Sequence, residues 1–377
     1  MNDVYITRIS KFLPNKPIDN DHMEEKLGKI NGKASKARRI VLRNNKITTR
    51  YYAIDEEGNV THNNAQLVSE AVELLCDENF PKSEIKLLSC GTSSPDQVLP
   101  SHASMVHGFL KNGNMEVNSP SGACCSGMNA LKYGYMAVMS NQVENAVCTG
   151  SERMSSWMKS ELFTDEISHL KELEKTPVLA FKKEFLRWML SDGAGAFLLE
   201  SQPKGNTPLK IEWMEAYSYA FELETCMYAG GDKLKDGSLK AWSEFTPEEW
   251  INNSIFSVKQ DVKLLSENIL VKGVESLKNA NKKHSITPED ITYYLPHVSS
   301  YYFRERLYEE MVKQGFEVPW DKWFMNLDKV GNIGAGSIYI MLEELVASGK
   351  LKKGDTILLS VPESARFSYS YAYLTVC

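Results

Sequence analysis

The stretch Gly122-Ala123-Cys124-Cys125-Ser126-Gly127-Met128 joins a short extended segment to an apolar helical run, with a thiol where the helix begins. A cysteine in the first turn of a helix faces the positive end of the helix dipole, which favours thiolate over thiol. Small neighbours let the chain turn sharply and let a substrate come close. Such a sulfur attacks activated acyl carbons and holds the acyl group as a thioester. A Cys-Cys pair is also what two packing residues look like, so this motif alone leaves both readings open. Two other segments carry chemistry. Tyr294-Leu295-Pro296-His297 puts an imidazole directly after a strand-like run. Gly331-Asn332-Ile333-Gly334-Ala335-Gly336-Ser337 puts a carboxamide in a small-residue loop that opens a helix. Taken singly, the histidine reads as structural and the asparagine as a cap. Together with the cysteine, each at a junction of a strand or loop with a helix, they can meet at one end of a layered sheet, where α/β folds place chemistry.

The elements that must position these groups alternate between strand and helix patterns, which argues for an α/β fold. Residues 64–79 carry apolar positions at helical spacing, and Ile85 to Cys90 reads as a buried strand. The run 126–140 is apolar nearly all round and is expected to be a central helix. Residues 145–150 read as a strand; Asp192 to Gly195 reads as a turn leading into a strand at 196–200. Further on come a helix from Val258 to Leu277, a strand at 291–296, a helix from Ala335 to Ser348 and strands at 356–361 and 369–376. The helix–strand–loop–helix order of 64–140 recurs loosely at 258–348, so two similar halves, 1–202 and 203–377, are expected. Residues 151–190 and 215–250, rich in charges and aromatics, read as insertions or caps.

Composition excludes several classes. A chain of 377 residues with 42% hydrophobic composition can build a large core. The net charge of −6, with no basic block, gives no footprint for nucleic acid. No run of about eighteen apolar residues is present, so no membrane helix is expected. The start, Met1 to Thr7, reads as a strand without signal-peptide features, so a cytoplasmic protein is expected. The seven cysteines, Cys76, Cys90, Cys124, Cys125, Cys148, Cys226 and Cys377, contain no CxxC pair, and no metal site is expected.

These motifs, in this order, resemble the ketoacyl-synthase III branch of the thiolase superfamily. Ala123 to Met128 resembles that family's Ala-Ala-Cys-small-Gly-Phe segment, which makes Cys125 the nucleophile and puts Cys124 at the usual alanine. Leu295-Pro296-His297 and Gly331-Asn332 resemble the family's Pro-His and Gly-Asn segments. Gly91 to Ser94 with Pro100, Thr149 to Glu152 and Ser191 to Ala196 resemble further signatures, and Lys46 to Arg50 resembles the segment near the carrier entrance. There are departures. Val298-Ser299-Ser300 follows the histidine, and Pro362-Glu363-Ser364-Ala365-Arg366-Phe367 replaces a glycine-rich turn that normally supplies an oxyanion-hole amide. The chain is also longer than the family norm, mainly in the two insertion-like stretches.

The resemblance implies a thiolase-like fold of two α/β halves in αβαβα layers, and a Claisen-type condensing enzyme. Cys125 would carry the acyl group, and His297 and Asn332 would hold the carbonyl oxygen of a second thioester while its enolate forms. Backbone amides of Cys125 and Ser364 would hold the oxyanion. Arg50, Lys259 and Lys263, the last two read as one helical turn apart, are candidates to bind coenzyme A or an acyl carrier protein; two such lysines are also an ordinary solvated face. The resemblance implies a homodimer and no metal or redox cofactor. The Pro362–Phe367 run resembles ketosynthases that build dialkylresorcinol or cyclohexanedione lipids. Acyl transfer to oxygen or nitrogen on the same fold, and a catalytically silent partner subunit, are the alternatives.

Overall fold

The computed structural model describes residues 2–35, 37–162 and 186–377. Nine strands form the main sheet: β1 Tyr5–Phe12, β2 Leu87–Thr92, β3 Glu116–Asn118, β4 Asn145–Arg153, β5 Asp192–Glu200, β6 Leu209–Ser218, β7 Tyr293–Pro296, β8 Thr356–Glu363 and β9 Ser368–Val376. Their order is β7-β8-β9-β6-β1-β5-β4-β2-β3. The run β1-β5-β4-β2 is antiparallel, antiparallel, then parallel, and β6-β9-β8-β7 repeats it in the same senses. The two runs join where β1 pairs with β6, through Tyr5–Lys210 and Ile6–Leu209. Residues 201–208 connect β5, the last strand of the first run in chain order, to β6, the first strand of the second.

Six longer helices complete the layers: α1 Asn64–Glu73, α2 His102–Leu110, α3 Cys125–Met139, α4 Val262–Lys283, α5 Tyr302–Lys313 and α6 Ser337–Ala347. Side chains of a strand alternate between faces, and here both faces are covered. In β5, Phe197 and Leu199 join the core of α3 and α6, while Ala196 and Leu198 join that of α1 and α2. In β9, Ala372 and Leu374 face the central core, while Tyr371 and Tyr373 face α4 and α5. The helix pair α3 and α6 is therefore enclosed by both halves of the sheet. Double coverage explains why β2 and β5 are buried at every position instead of alternating with polar residues.

Some boundaries differ from the sequence reading. Residues 192–195 are strand, not turn. A Cβ at Gly195 would lie 2.4 Å from the Tyr339 Cβ of α6, so this glycine serves close helix–sheet packing. The long helix begins at Val262, capped by Asp261, whose carboxylate accepts from the Leu264 amide, and runs on to Lys283. Lys259–Gln260 instead forms a short strand paired with Met227–Tyr228. The stretch 215–250 holds the end of β6, a ribbon of Gly231–Lys233 with Leu239–Ala241 and a short helix Pro247–Asn252. Of the 151–190 stretch, residues 163–185 lie outside the described residues.

Candidate active site

Cys125 is the first residue of α3 and is buried. Its thiol donates to the Val361 carbonyl of β8 at 3.3 Å. The helix dipole was expected to lower its pKa. Instead the thiol is pushed well above its ordinary value, by burial first and then by the nearby Glu363 carboxylate.

His297 directly follows β7. Its amide donates to the Ser360 carbonyl at 2.8 Å, continuing the pairing of β7 with β8. Burial lowers the imidazole pKa to about 4, so it is neutral at pH 7 and acts as a hydrogen-bond donor or acceptor, not a cation. Asn332 lies in the loop between a short helix, Leu327–Val330, and α6. Its backbone bridges to β5's approach: its amide donates to the Met189 carbonyl and its carbonyl accepts from the Ser191 amide, both at 2.9 Å. Its side-chain oxygen accepts from the Gly334 amide at 2.9 Å, which leaves the NH2 group as the donor to a ligand.

Contacts tie the three groups to one end of the central helix pair. Cys125 and His297 meet β8 at neighbouring residues, Val361 and Ser360. The Asn332 loop lies against the first turn of α3, where a Cβ on Gly127 would stand 2.3 Å from the Ala335 carbonyl oxygen; the same carbonyl would be 2.1 Å from a Cβ on Gly150. These glycines admit the loop, where the sequence reading gave Gly127 to substrate access. Two adjoining cavities open here and share Cys124, Gln260, Ser299 and Ser364. His297 lines one and Asn332 the other. Cys124 borders both, whereas Cys125 lies just behind it, with its thiol turned to β8. The 215–250 insertion contributes to the Asn332 cavity through Met227, Tyr228 and Ala229.

Two carboxylates escaped the sequence reading. Glu152 ends the Thr149–Glu152 signature and is buried beside Asn332's loop. It accepts from the Ser93 amide at 3.1 Å, the Ser94 hydroxyl at 2.6 Å and the Ala335 amide at 3.2 Å, and so clamps the loop to β4. Glu363 ends β8, and one of its oxygens accepts from the amides of both Cys125 and Ala123 at 2.9 Å. The Cys125 amide, expected in the oxyanion hole, is thus occupied by a carboxylate. The available signal was a charged residue in a turn that is glycine-rich in the resembling family. Ser364 borders both cavities, and its hydroxyl accepts from Gln260 at 2.9 Å.

The carrier-binding expectations need correction. Arg50 is fully buried; it donates to the Asn20 side chain at 2.7 Å and lies 3.5 Å from the Trp188 carbonyl, so its charge does not reach a surface. Its neighbours Thr48 and Thr49 bond the carbonyls of Asp328 and Lys329, bracing the approach to Asn332. Lys259 and Lys263 do not share a helical face, because Lys259 lies in the short strand and pairs with Asp232 at 3.0 Å. Lys263 is exposed. Among the described residues no cluster of three metal-ligating side chains occurs, and no helix is long and apolar enough to cross a membrane.

Comparison with known proteins follows the same lines. Residues 64–204 match the family model for the β-ketoacyl synthase N-terminal domain, and residues 282–362 match that for the 3-oxoacyl-[acyl-carrier-protein] synthase III C-terminal region. The chain is 24% identical to the β-ketoacyl-[acyl-carrier-protein] synthase III of Chlorobaculum tepidum, across 98% of both chains. It is 28% identical to that of Clostridium perfringens, across 83% of both. Among solved structures it resembles AbyA1, described as a tetronic acid condensing enzyme, with a TM-score of 0.75 at 18% identity over 99% of both chains. It also resembles an OleA variant from Xanthomonas campestris, with a TM-score of 0.74 at 18% identity, covering 99% of this chain and 98% of that one. At such identity the two structures speak for the thiolase-like fold alone.

Proposed function

We propose, for a chain that belongs to the ketoacyl synthase III-like condensing enzymes of the thiolase superfamily, that Cys125 carries an acyl group and passes it to a carbanion formed beside His297 and Asn332. The observation that carries this reading is the meeting of three sequence-distant segments at one end of α3, through Ser360–Val361 and through the Ala335 carbonyl on Gly127.

Cys125 attacks an acyl thioester of coenzyme A or an acyl carrier protein, and backbone amides receive the developing oxyanion. Leu265, Ile269, Leu277, Phe303 and Leu307 line the His297 cavity, an apolar wall suited to an acyl chain. A malonyl or β-ketoacyl thioester then binds with its carbonyl oxygen toward the His297 imidazole and the Asn332 amide. Loss of CO2 from a malonyl group, or of the α-proton from a β-ketoacyl group, leaves the electron pair as an enolate, and two neutral donors stabilise it without adding positive charge to a buried pocket. The carbanion attacks the acyl carbon, a carbon–carbon bond forms and the Cys125 thiolate leaves. The chemistry as written needs no metal or redox cofactor. Glu363, in place of a family glycine, and the cap around Met227 to Ala229 support a specialised substrate pair, such as those of dialkylresorcinol, cyclohexanedione or related ring-forming lipid pathways. We take the working unit to be a homodimer of chains divided at about residue 203.

Product mass spectrometry with a panel of acyl and β-ketoacyl or malonyl thioesters tests the reading. Wild type is expected to release a carbon–carbon condensation product. His297→Ala and Asn332→Ala should still acylate but condense about a hundredfold more slowly or worse, and Cys125→Ala should form no acyl-enzyme. A product acylated on oxygen or nitrogen would refute the condensation.

A further inference from the structure

Glu363 is buried at the end of β8, and one oxygen of its carboxylate sits 2.9 Å from the amide nitrogens of both Cys125 and Ala123. Those amides stand at the N-terminus of the fifteen-residue helix α3 and point at a negative oxygen. Two demands therefore fall on one N–H. If the Cys125 amide is to receive the oxyanion of an attacked thioester, the carboxylate must release it. A second problem lies beside it: the Cys125 thiol is bonded to a carbonyl, and burial and Glu363 both keep it protonated. The neutral, weakly basic His297 is poorly suited to take that proton.

We propose that Glu363 is the general base of Cys125 and that its protonation releases the Cys125 amide for the oxyanion. The inference rests on the reading of Cys125 as the acylated residue. A χ1 rotation swings the thiol from the Val361 carbonyl toward the carboxylate, which sits on the same residue's nitrogen. The S–H bond breaks and the proton passes to the carboxylate. The sulfur's electron pair forms the S–C bond, and the carbonyl pair moves to oxygen. Now neutral, Glu363 is a weaker acceptor, and the freed Cys125 N–H takes the new oxyanion. Collapse restores the carbonyl and breaks the bond to the carrier's sulfur, which leaves with the proton from Glu363. The net change is transfer of an acyl group from one sulfur to another.

The surroundings suit a shared proton. Burial raises the Glu363 carboxyl, and the Cys125 and Ala123 amides draw it back. Cys124 lies on the same helix end; Glu152 of β4 acts on Cys124, and Tyr369 and Tyr371 of β9 feel the Cys125 charge. None of these groups supplies a positive charge to hold a thiolate and a carboxylate together, so one negative charge shared by the pair is favoured over two.

Glu363→Gln separates this role from a structural one. The glutamine can still accept from both amides through its side-chain carbonyl but cannot take a proton. Single-turnover acylation, followed by intact mass from pH 6 to 10, should slow about a hundredfold at pH 7 and recover toward the wild-type rate at high pH. The thiolate titration, read by ultraviolet absorbance, should meanwhile move to lower pH, because a repelling charge is gone. A carboxylate that merely repelled the thiolate would give the opposite kinetics, faster acylation at pH 7. Glu363→Asp, which keeps the acid, should retain the wild-type form of the pH profile at a reduced rate, and serves if the glutamine variant does not fold. Wild-type acylation at Cys124 would remove the underlying site reading. Acylation at Cys125 with Glu363→Gln as fast as wild type at pH 7, or with Glu363→Asp losing the wild-type profile, would overturn the base alone.

Discussion

At the residue scale the site is governed by desolvation. His297 lies in a pocket that holds its pKa near 4, against 6.5 for a free imidazole. Above pH 6.5 both folded and unfolded chains keep this ring neutral, and its contribution to stability is complete. As the pH falls from 6.5 toward 4, the unfolded chain takes a proton that the folded chain refuses. Stability is then lost, by about 3 kcal/mol for a shift of this size. Urea unfolding of wild type and His297→Gln at pH 7.5 and 4.5 checks this: the variant should show a shallower loss, and equal losses would contradict the burial. His102, held near 4 by the same cause, gives wild type a second such loss that the comparison cancels. The sequence nominates Cys125, His297 and Asn332 as candidates because each sits in a short local pattern. It does not nominate Glu363. Its effect depends on the end of β8 coming to rest against α3, a contact across 238 residues of chain that no local pattern records.

At the scale of elements, small residues decide how closely α3, β4 and the Asn332 loop approach. Gly127→Ala would drive a methyl group to 2.3 Å from the Ala335 carbonyl oxygen, a backbone atom that cannot rotate away. It should cost about 1–3 kcal/mol of stability and slow condensation more than acylation, because the loop that moves carries Asn332. Thermal melting reads the first effect, and single-turnover rates of acylation and of condensation, compared, read the second; an unchanged melting temperature would contradict the packing. Helices and strands with plain periodicity, such as α3 and β9, were readable to within a residue or two. The reading failed at 192–195, where Gly195 serves packing under Tyr339 and Gly193 packing against Leu13 and Ile333, and neither makes a turn. It also failed at 258–261, where Lys259–Gln260 is drawn out of the helix into a short strand by pairing with Met227–Tyr228. In both places a distant element overrides local propensity.

For the whole molecule, the repeat β1-β5-β4-β2 and β6-β9-β8-β7 gives each half one central helix, and the site forms where the two helices' N-terminal ends lie together. The sequence hinted at the repeat through the recurring order of elements. The β1–β6 seam was invisible, because it rests on two residue pairs between remote strands. Arg50 was misplaced among the carrier-facing cations for a related reason: whether it reaches a surface depends on the tertiary packing around Asn20 and Trp188. The central claim for the assembled molecule is that the buried thiol, and not its neighbour at the cavity wall, takes the acyl group. Fragment-ion mapping of the acylated peptide, after incubation with an acyl thioester, is the most direct measurement. It should place the added mass on Cys125, and the mass should disappear when a second thioester is supplied. An acyl group found on Cys124, or one that stays in place after the second substrate is added, would contradict the account.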